Sequence, residues 1–200
     1  FTYNNNIVYY YKPNNYDSIN SPILMAFHGV GGNGLGEIND LINSADRRKA
    51  LIVAPNATFP LGFTTIDTLP DSTIFHWITS LYKDVYRHVI NRENRDSMWV
   101  YMLGFSAGGQ TVTRFMLIRQ YIPDSIPIRM AVSVSPAHYT FPTEYFNGTP
   151  MNYFCGLLPW SDILLQAYNL EYDPGLPYDC NPLIKMHYNE NYGVMCGSAD

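Results

Sequence analysis

Charge is scarce in this sequence: 14% of its 200 residues are charged, against roughly a quarter in ordinary globular chains. The 12 Lys and Arg are scattered and outnumbered by 17 Asp and Glu, for a net charge of −5. The longest basic run, Arg47-Arg48-Lys49, reads as a solvated helix end and not as a phosphate-binding patch, which argues against nucleic acid as a partner. No apolar stretch approaches the ~20 residues that span a bilayer, so no transmembrane segment is expected. Phe1 opens the chain without an initiator Met or a signal-peptide pattern, so a processed or trimmed start is expected. Internal repeats and low-complexity linkers are also missing. What is there is a globular composition, 46% hydrophobic and 15% aromatic, at a length that suits one domain with a sizeable core.

Cysteine is limited to Cys155, Cys180 and Cys196. Cys155 and Cys180 flank a loop-rich stretch and are the candidates for a disulfide, which would suit an oxidising compartment. Cys196 falls in an expected strand and reads as a small buried hydrophobe. An odd count also fits a partner beyond residue 200. Two glycosylation sequons, Asn56-Ala57-Thr58 and Asn147-Gly148-Thr149, occur in turn-like sequence, so Asn56 and Asn147 are expected to be exposed. Together these features point to a secreted, extracellular protein.

Hydrophobic patterning alternates between two kinds of segment. Ile7–Tyr11 reads as a strand ended by Pro13. Ile23–Phe27, Ala50–Ala54, Trp99–Leu103 and Met130–Val134 are continuous apolar runs typical of strands buried on both faces, and Gly193–Cys196 is a shorter one. Between them, Ile38, Leu41, Ile42 and Ala45 recur at helical spacing, as do Leu81, Tyr82, Val85, Tyr86, Val89 and Ile90, and then Val112, Phe115 and Met116. Such alternation specifies an α/β fold, a mostly parallel central sheet with helices on both faces. A segment at about 139–191 breaks the rhythm with prolines, both loop cysteines and one expected helix over 162–172. It reads as a lid-like insertion over the strand ends, where such sheets carry their sites.

The sharpest motif is Gly104-Phe105-Ser106-Ala107-Gly108-Gly109, set between a buried strand and a helix. A serine on that turn must take a strained backbone, and small neighbours are needed because strand and helix pass close together. The turn presents its hydroxyl beside a helix N-terminus that favours negative charge. Ser106 is therefore the candidate nucleophile. After the first buried strand, Phe27-His28-Gly29-Val30-Gly31-Gly32 forms a glycine-rich turn able to approach it, with the Val30 and Ala107 amides as candidate oxyanion-hole donors and Gly31 as substitute for Val30. A dinucleotide loop is the competing reading of Gly29-Val30-Gly31. Against it, an Asn-Gly pair interrupts the pattern and no acidic ribose partner follows Leu51–Val53. His28 precedes the turn and is expected to fix it by hydrogen bonding.

On these residues the chain resembles the α/β-hydrolase superfamily, and within it the secreted polyester depolymerases and feruloyl-esterase-like enzymes. The resemblance rests on Leu24–Asn33, Val53–Asn56 and Tyr101–Gly109, then on Asn181-Pro182-Leu183 leading into Gly193–Asp200, and covers about residues 20–138 and 181–200. It implies a serine esterase without metal or cofactor, with Asp200 as the acid that orients the catalytic histidine. The superfamily orders its triad as serine, acid, histidine, and nothing follows Asp200 here, so the fold is expected to be C-terminally incomplete. None of the five histidines, His28, His76, His88, His138 and His187, fits the base position, which is expected in the remaining C-terminal segment of the same protein.

Two main functions compete at this stage. One is a carboxylesterase acting through an acyl-enzyme on Ser106, its ester substrate of unknown identity. The other is a non-catalytic extracellular module with a hydrolase fold and assembly partners, which the 17 tyrosines would suit. A peptidase or acyltransferase with the same triad is a third, weaker option.

Overall fold

A computed structural model describes residues 1–3, 6–56, 71–118, 126–136, 145–146, 149–150 and 192–195. The strands are β1 (Thr2–Tyr3), β2 (Asn6–Tyr11), β3 (Ile23–Phe27), β4 (Leu51–Pro55), β5 (Val100–Phe105), β6 (Ile128–Val134), β7 (Tyr145–Phe146), β8 (Thr149–Pro150) and β9 (Tyr192–Met195). The helices are α1 (Gly34–Arg48), α2 (Asp71–Arg92) and α3 (Ala107–Ile118). Seven strands form one sheet in the order β1-β2-β4-β3-β5-β6-β9, while β7 and β8 pair separately. From β4 to β9 every neighbouring pair is parallel, and β2 joins β4 antiparallel, with β1 antiparallel on β2.

The apolar runs account for this order. Ile23, Met25 and Phe27 of β3 and all of Leu51–Ala54 in β4 are buried, because helices cover the centre of the sheet from both sides. On one face α1 packs over β2, β3 and β4, and Ala26, Ile38, Ala45, Ile52 and Ala54 form a core flanked by Tyr9, Tyr11 and Leu41. On the other face α2 and α3 bury Tyr82, Val85, Phe115 and Met116, and the Tyr82 ring meets Phe27 and Phe115 edge-on. Among the described residues α1 stops short of β5 and β6 on its own face, where Tyr101, Phe105 and Met130 are exposed.

Helix α1 begins where its sequence says it should. The Asn33 side chain accepts from the Gly36 amide at 2.9 Å, Glu37 sits in the first turn, and Arg47 and Arg48 lie in the last. Lys49 closes it in the left-handed conformation, φ 57°.

One expectation is corrected here. Asn56 is half-buried, not exposed, because it ends β4 beside the start of α1, and its Oδ1 accepts from the Gly34 amide at 3.2 Å. Most of the segment at 139–191 lies outside the described residues, as do Asn147, Cys155, Cys180, Cys196 and Asp200. No helix among the described residues is long and apolar enough to cross a membrane.

Candidate active site

Strand β5 runs through Gly104 and Phe105 and turns at Ser106 directly into α3. Ser106 has φ 52°, a left-handed conformation that costs a residue with a side chain on the order of 1–2 kcal/mol. Neighbouring glycines make so sharp a turn possible. A Cβ on Gly104 would fall 2.2 Å from the Gly108 carbonyl oxygen, and one on Gly108 would fall 2.0 Å from that of Phe27. Strand, turn and helix therefore meet backbone to backbone.

Two hydrogen bonds hold the turn. The Ser106 amide donates to the Val134 carbonyl at 2.9 Å, extending the β5–β6 ladder by one residue beyond the Phe105–Val134 pair. The Ser106 carbonyl accepts from the Gln110 amide at 3.1 Å as the first bond of α3. Position alone leaves the Ala107, Gly108 and Gly109 amides without a carbonyl one turn earlier, so the positive end of the helix faces the Ser106 turn. The Ser106 amide is already committed to Val134, which makes Ala107 the first amide after the serine without a backbone partner among the described residues.

The second loop arrives from β3. Gly29 lies against the serine: a Cβ there would be 3.1 Å from Ser106 Cβ and 3.3 Å from the Phe105 ring. Residues 29–32 form a turn closed by the Gly32 amide on the Gly29 carbonyl at 3.1 Å, with Gly31 at φ 79°, the third-position angle that favours glycine. Val30, at the tip, is exposed, and Ala107 is buried.

His28 is buried, and its Nδ1 is 2.7 Å from the Gly29 carbonyl oxygen. Because a carbonyl only accepts, Nδ1 carries the proton, and Nε2 is buried without a hydrogen-bond partner among the described residues. Burial raises the Glu37 carboxyl above its usual range, a shift that His28 opposes and Asp40 reinforces.

The structure thus brings together Ser106, Ala107 and the loop carrying Val30 at the carboxyl ends of the parallel strands. It also places β9 parallel beside β6, with Met195 opposite Val134, so β9 ends at that same end of the sheet. His88 is exposed on α2, where Phe1 stacks on it at 4.1 Å between ring centroids. A cavity of about 350 Å³ lined by Pro22, Leu24, Ala45, Ala50 and Tyr101 lies at the opposite, amino ends of β3, β4 and β5 and plays no part in this site.

Sequence reasoning missed Ser135, which follows β6 and has φ 42°. A Ser-Pro pair after a strand signals an extended residue, so nothing local announces a left-handed one.

No family model and no curated protein matches this chain. Solved structures do. A poly(3-hydroxybutyrate) depolymerase from Bordetella parapertussis is similar with TM-score 0.62 and 22% identity, over 96% of this chain and 76% of that one. The poly(aspartic acid) hydrolase-1 of Sphingomonas sp. KT-1 gives 0.64 and 19%, over 96% of this chain and 66% of that one. A fluorophosphonate-binding serine hydrolase from Staphylococcus aureus gives 0.51 and 16%, over 96% and 72%. This chain therefore has the α/β-hydrolase fold. It spans about three quarters and two thirds of the first two of these neighbours.

Proposed function

We propose that this chain forms the core of a serine hydrolase that cleaves carboxylic esters through an acyl-enzyme on Ser106. The observation that carries the reading is the left-handed Ser106 at the β5–α3 turn, with the Gly29 backbone packed against its Cβ. Backbone strain of this kind persists only where surrounding structure enforces it, and it concentrates at functional sites. Similarity in fold to proteins named as depolymerase and hydrolases supports the class without fixing the substrate.

In this reading Ser106 Oγ bonds to the ester carbonyl carbon while its proton passes to a histidine. The carbonyl electron pair moves onto oxygen, where the Ala107 and Val30 amides hold it, and collapse expels the alkoxide with the histidine's proton. Water then repeats the sequence on the acyl-enzyme and releases the carboxylic acid. Asp200 orients the histidine, which is contributed by polypeptide that follows it. The chemistry requires no cofactor. The segment at 139–191 covers the site as a lid-like insertion in a single domain, and the protein acts outside the cell, with Asn147 as a glycan acceptor and Cys155–Cys180 as its disulfide. Hydrolysis of a short-chain aryl ester by the natural full-length protein, and its loss in Ser106→Ala, tests this. Turnover unchanged in Ser106→Ala overturns it, and absence of turnover from the wild-type protein favours the assembly-module reading.

A further inference from the structure

Among the described residues, four that are not glycine have a left-handed backbone: Lys49, Asn94, Ser106 and Ser135. Lys49 caps α1, and Asn94 follows the end of α2 at Arg92, so both are ordinary helix terminators. Ser106 is the turn into α3. Ser135 directly follows β6 and precedes Pro136, whose ring pushes the preceding residue towards extended geometry. Its φ of 42° is therefore held against two local preferences at once.

The place of this strain is informative. Phe105 and Val134 are partners in the β5–β6 register, so Ser106 and Ser135 are the next residues of adjacent strands. The Val134 carbonyl belongs to the peptide unit that joins Val134 to Ser135, and the φ of Ser135 sets how that unit is turned relative to the departing chain. A left-handed φ lets the chain leave the sheet at once while the carbonyl stays in the ladder, where it accepts the Ser106 amide at 2.9 Å. An extended Ser135 would carry the chain straight on past the Ser106 turn.

We infer that Ser135 is a positioning residue for Ser106: its left-handed backbone aims the Val134 carbonyl that anchors the Ser106 amide and so fixes the hydroxyl against the oxyanion donors. This rests on the reading of Ser106 as nucleophile. The role belongs to the backbone angle and not to the hydroxyl, and two substitutions separate these. Ser135→Gly removes the hydroxyl and favours positive φ, whereas Ser135→Thr keeps the hydroxyl and adds a β-branch that disfavours it.

The test measures kcat and KM for an aryl ester, and the rate at which a fluorophosphonate labels Ser106, in the natural full-length protein well below its Tm. Ser135→Gly is expected within about threefold of wild type in kcat, and Ser135→Thr at least about tenfold lower in kcat and in labelling rate with KM little changed, the signature of a misplaced reacting group. Ser135→Asn, which tolerates the left-handed region, should follow Gly and serves if the Thr variant does not fold. Loss in Gly or Asn with retention in Thr, equal rates in all variants, or equal loss in all, overturns the inference. Ser106→Ala is run beside them: activity that survives it defeats the nucleophile reading itself, whereas Ser106-dependent activity with indifferent Ser135 variants defeats only this one.

Discussion

A Cβ built on Gly108 would lie 2.0 Å from the carbonyl oxygen of Phe27. The end of β3 and the first turn of α3 therefore touch through backbone, and that contact sets how near the His28–Gly32 loop comes to Ser106. Gly108→Ala should destabilise the protein by about 3 kcal/mol or more, since both partners are main chain and neither can swing aside. Gly36 in α1 gives the internal contrast. Its nearest neighbour to an added Cβ is 3.8 Å away, so Gly36→Ala should stabilise by up to about 1 kcal/mol. Urea denaturation of both variants checks the pair.

The strain at Ser106 gives a second expectation. At φ 52° a glycine is at ease where serine is not, so Ser106→Gly should raise stability by about 1 kcal/mol while abolishing ester hydrolysis. Ser106→Ala retains a Cβ, should abolish hydrolysis equally, and should leave Tm nearly where it was. A Gly variant less stable than the Ala variant would show that the turn is not strained as described.

A cluster between β2 and the end of α2 predicts the pH dependence of stability. Glu93 accepts from Lys12 Nζ at 2.7 Å and from the Tyr10 hydroxyl. Burial pushes the Glu93 carboxyl up, but the hydrogen bonds from Lys12 and Tyr10 outweigh it and hold the group below its usual value of 4.5. The stabilisation is thus fully present above that value and lost as pH falls through the lower, folded one. Burial first, then the bond to Glu93, raises Tyr10 well above its usual 10, so its contribution is present below pH 10 and lost as pH rises beyond. Thermal melts should show Glu93→Gln with a flatter acid limb than wild type and Tyr10→Phe with a flatter alkaline limb.

Much of this was legible in the residues. Strands β3 and β4 announce themselves as unbroken apolar runs because both of their faces are covered, and Gly104, Gly108 and Gly109 mark the close approach around Ser106. Other features come from partners distant in sequence. Strand β1 is only Thr2–Tyr3, too short for any periodicity, and exists by pairing with β2. Asn56 reads as the start of a sequon, yet its side-chain oxygen is taken by the Gly34 amide 22 residues earlier. Ser135, before Pro136, is extended by local rule and left-handed in the fold.

The account stands on Ser106 being the residue that takes up the acyl group. Its most direct test is to treat the natural full-length protein with a fluorophosphonate and map the covalent adduct by peptide mass spectrometry, with aryl-ester turnover measured on the same samples. The account predicts one adduct, on the peptide containing Ser106, formed in step with loss of turnover and absent from Ser106→Ala. An adduct on another residue, or turnover that persists once Ser106 is fully modified, would contradict it.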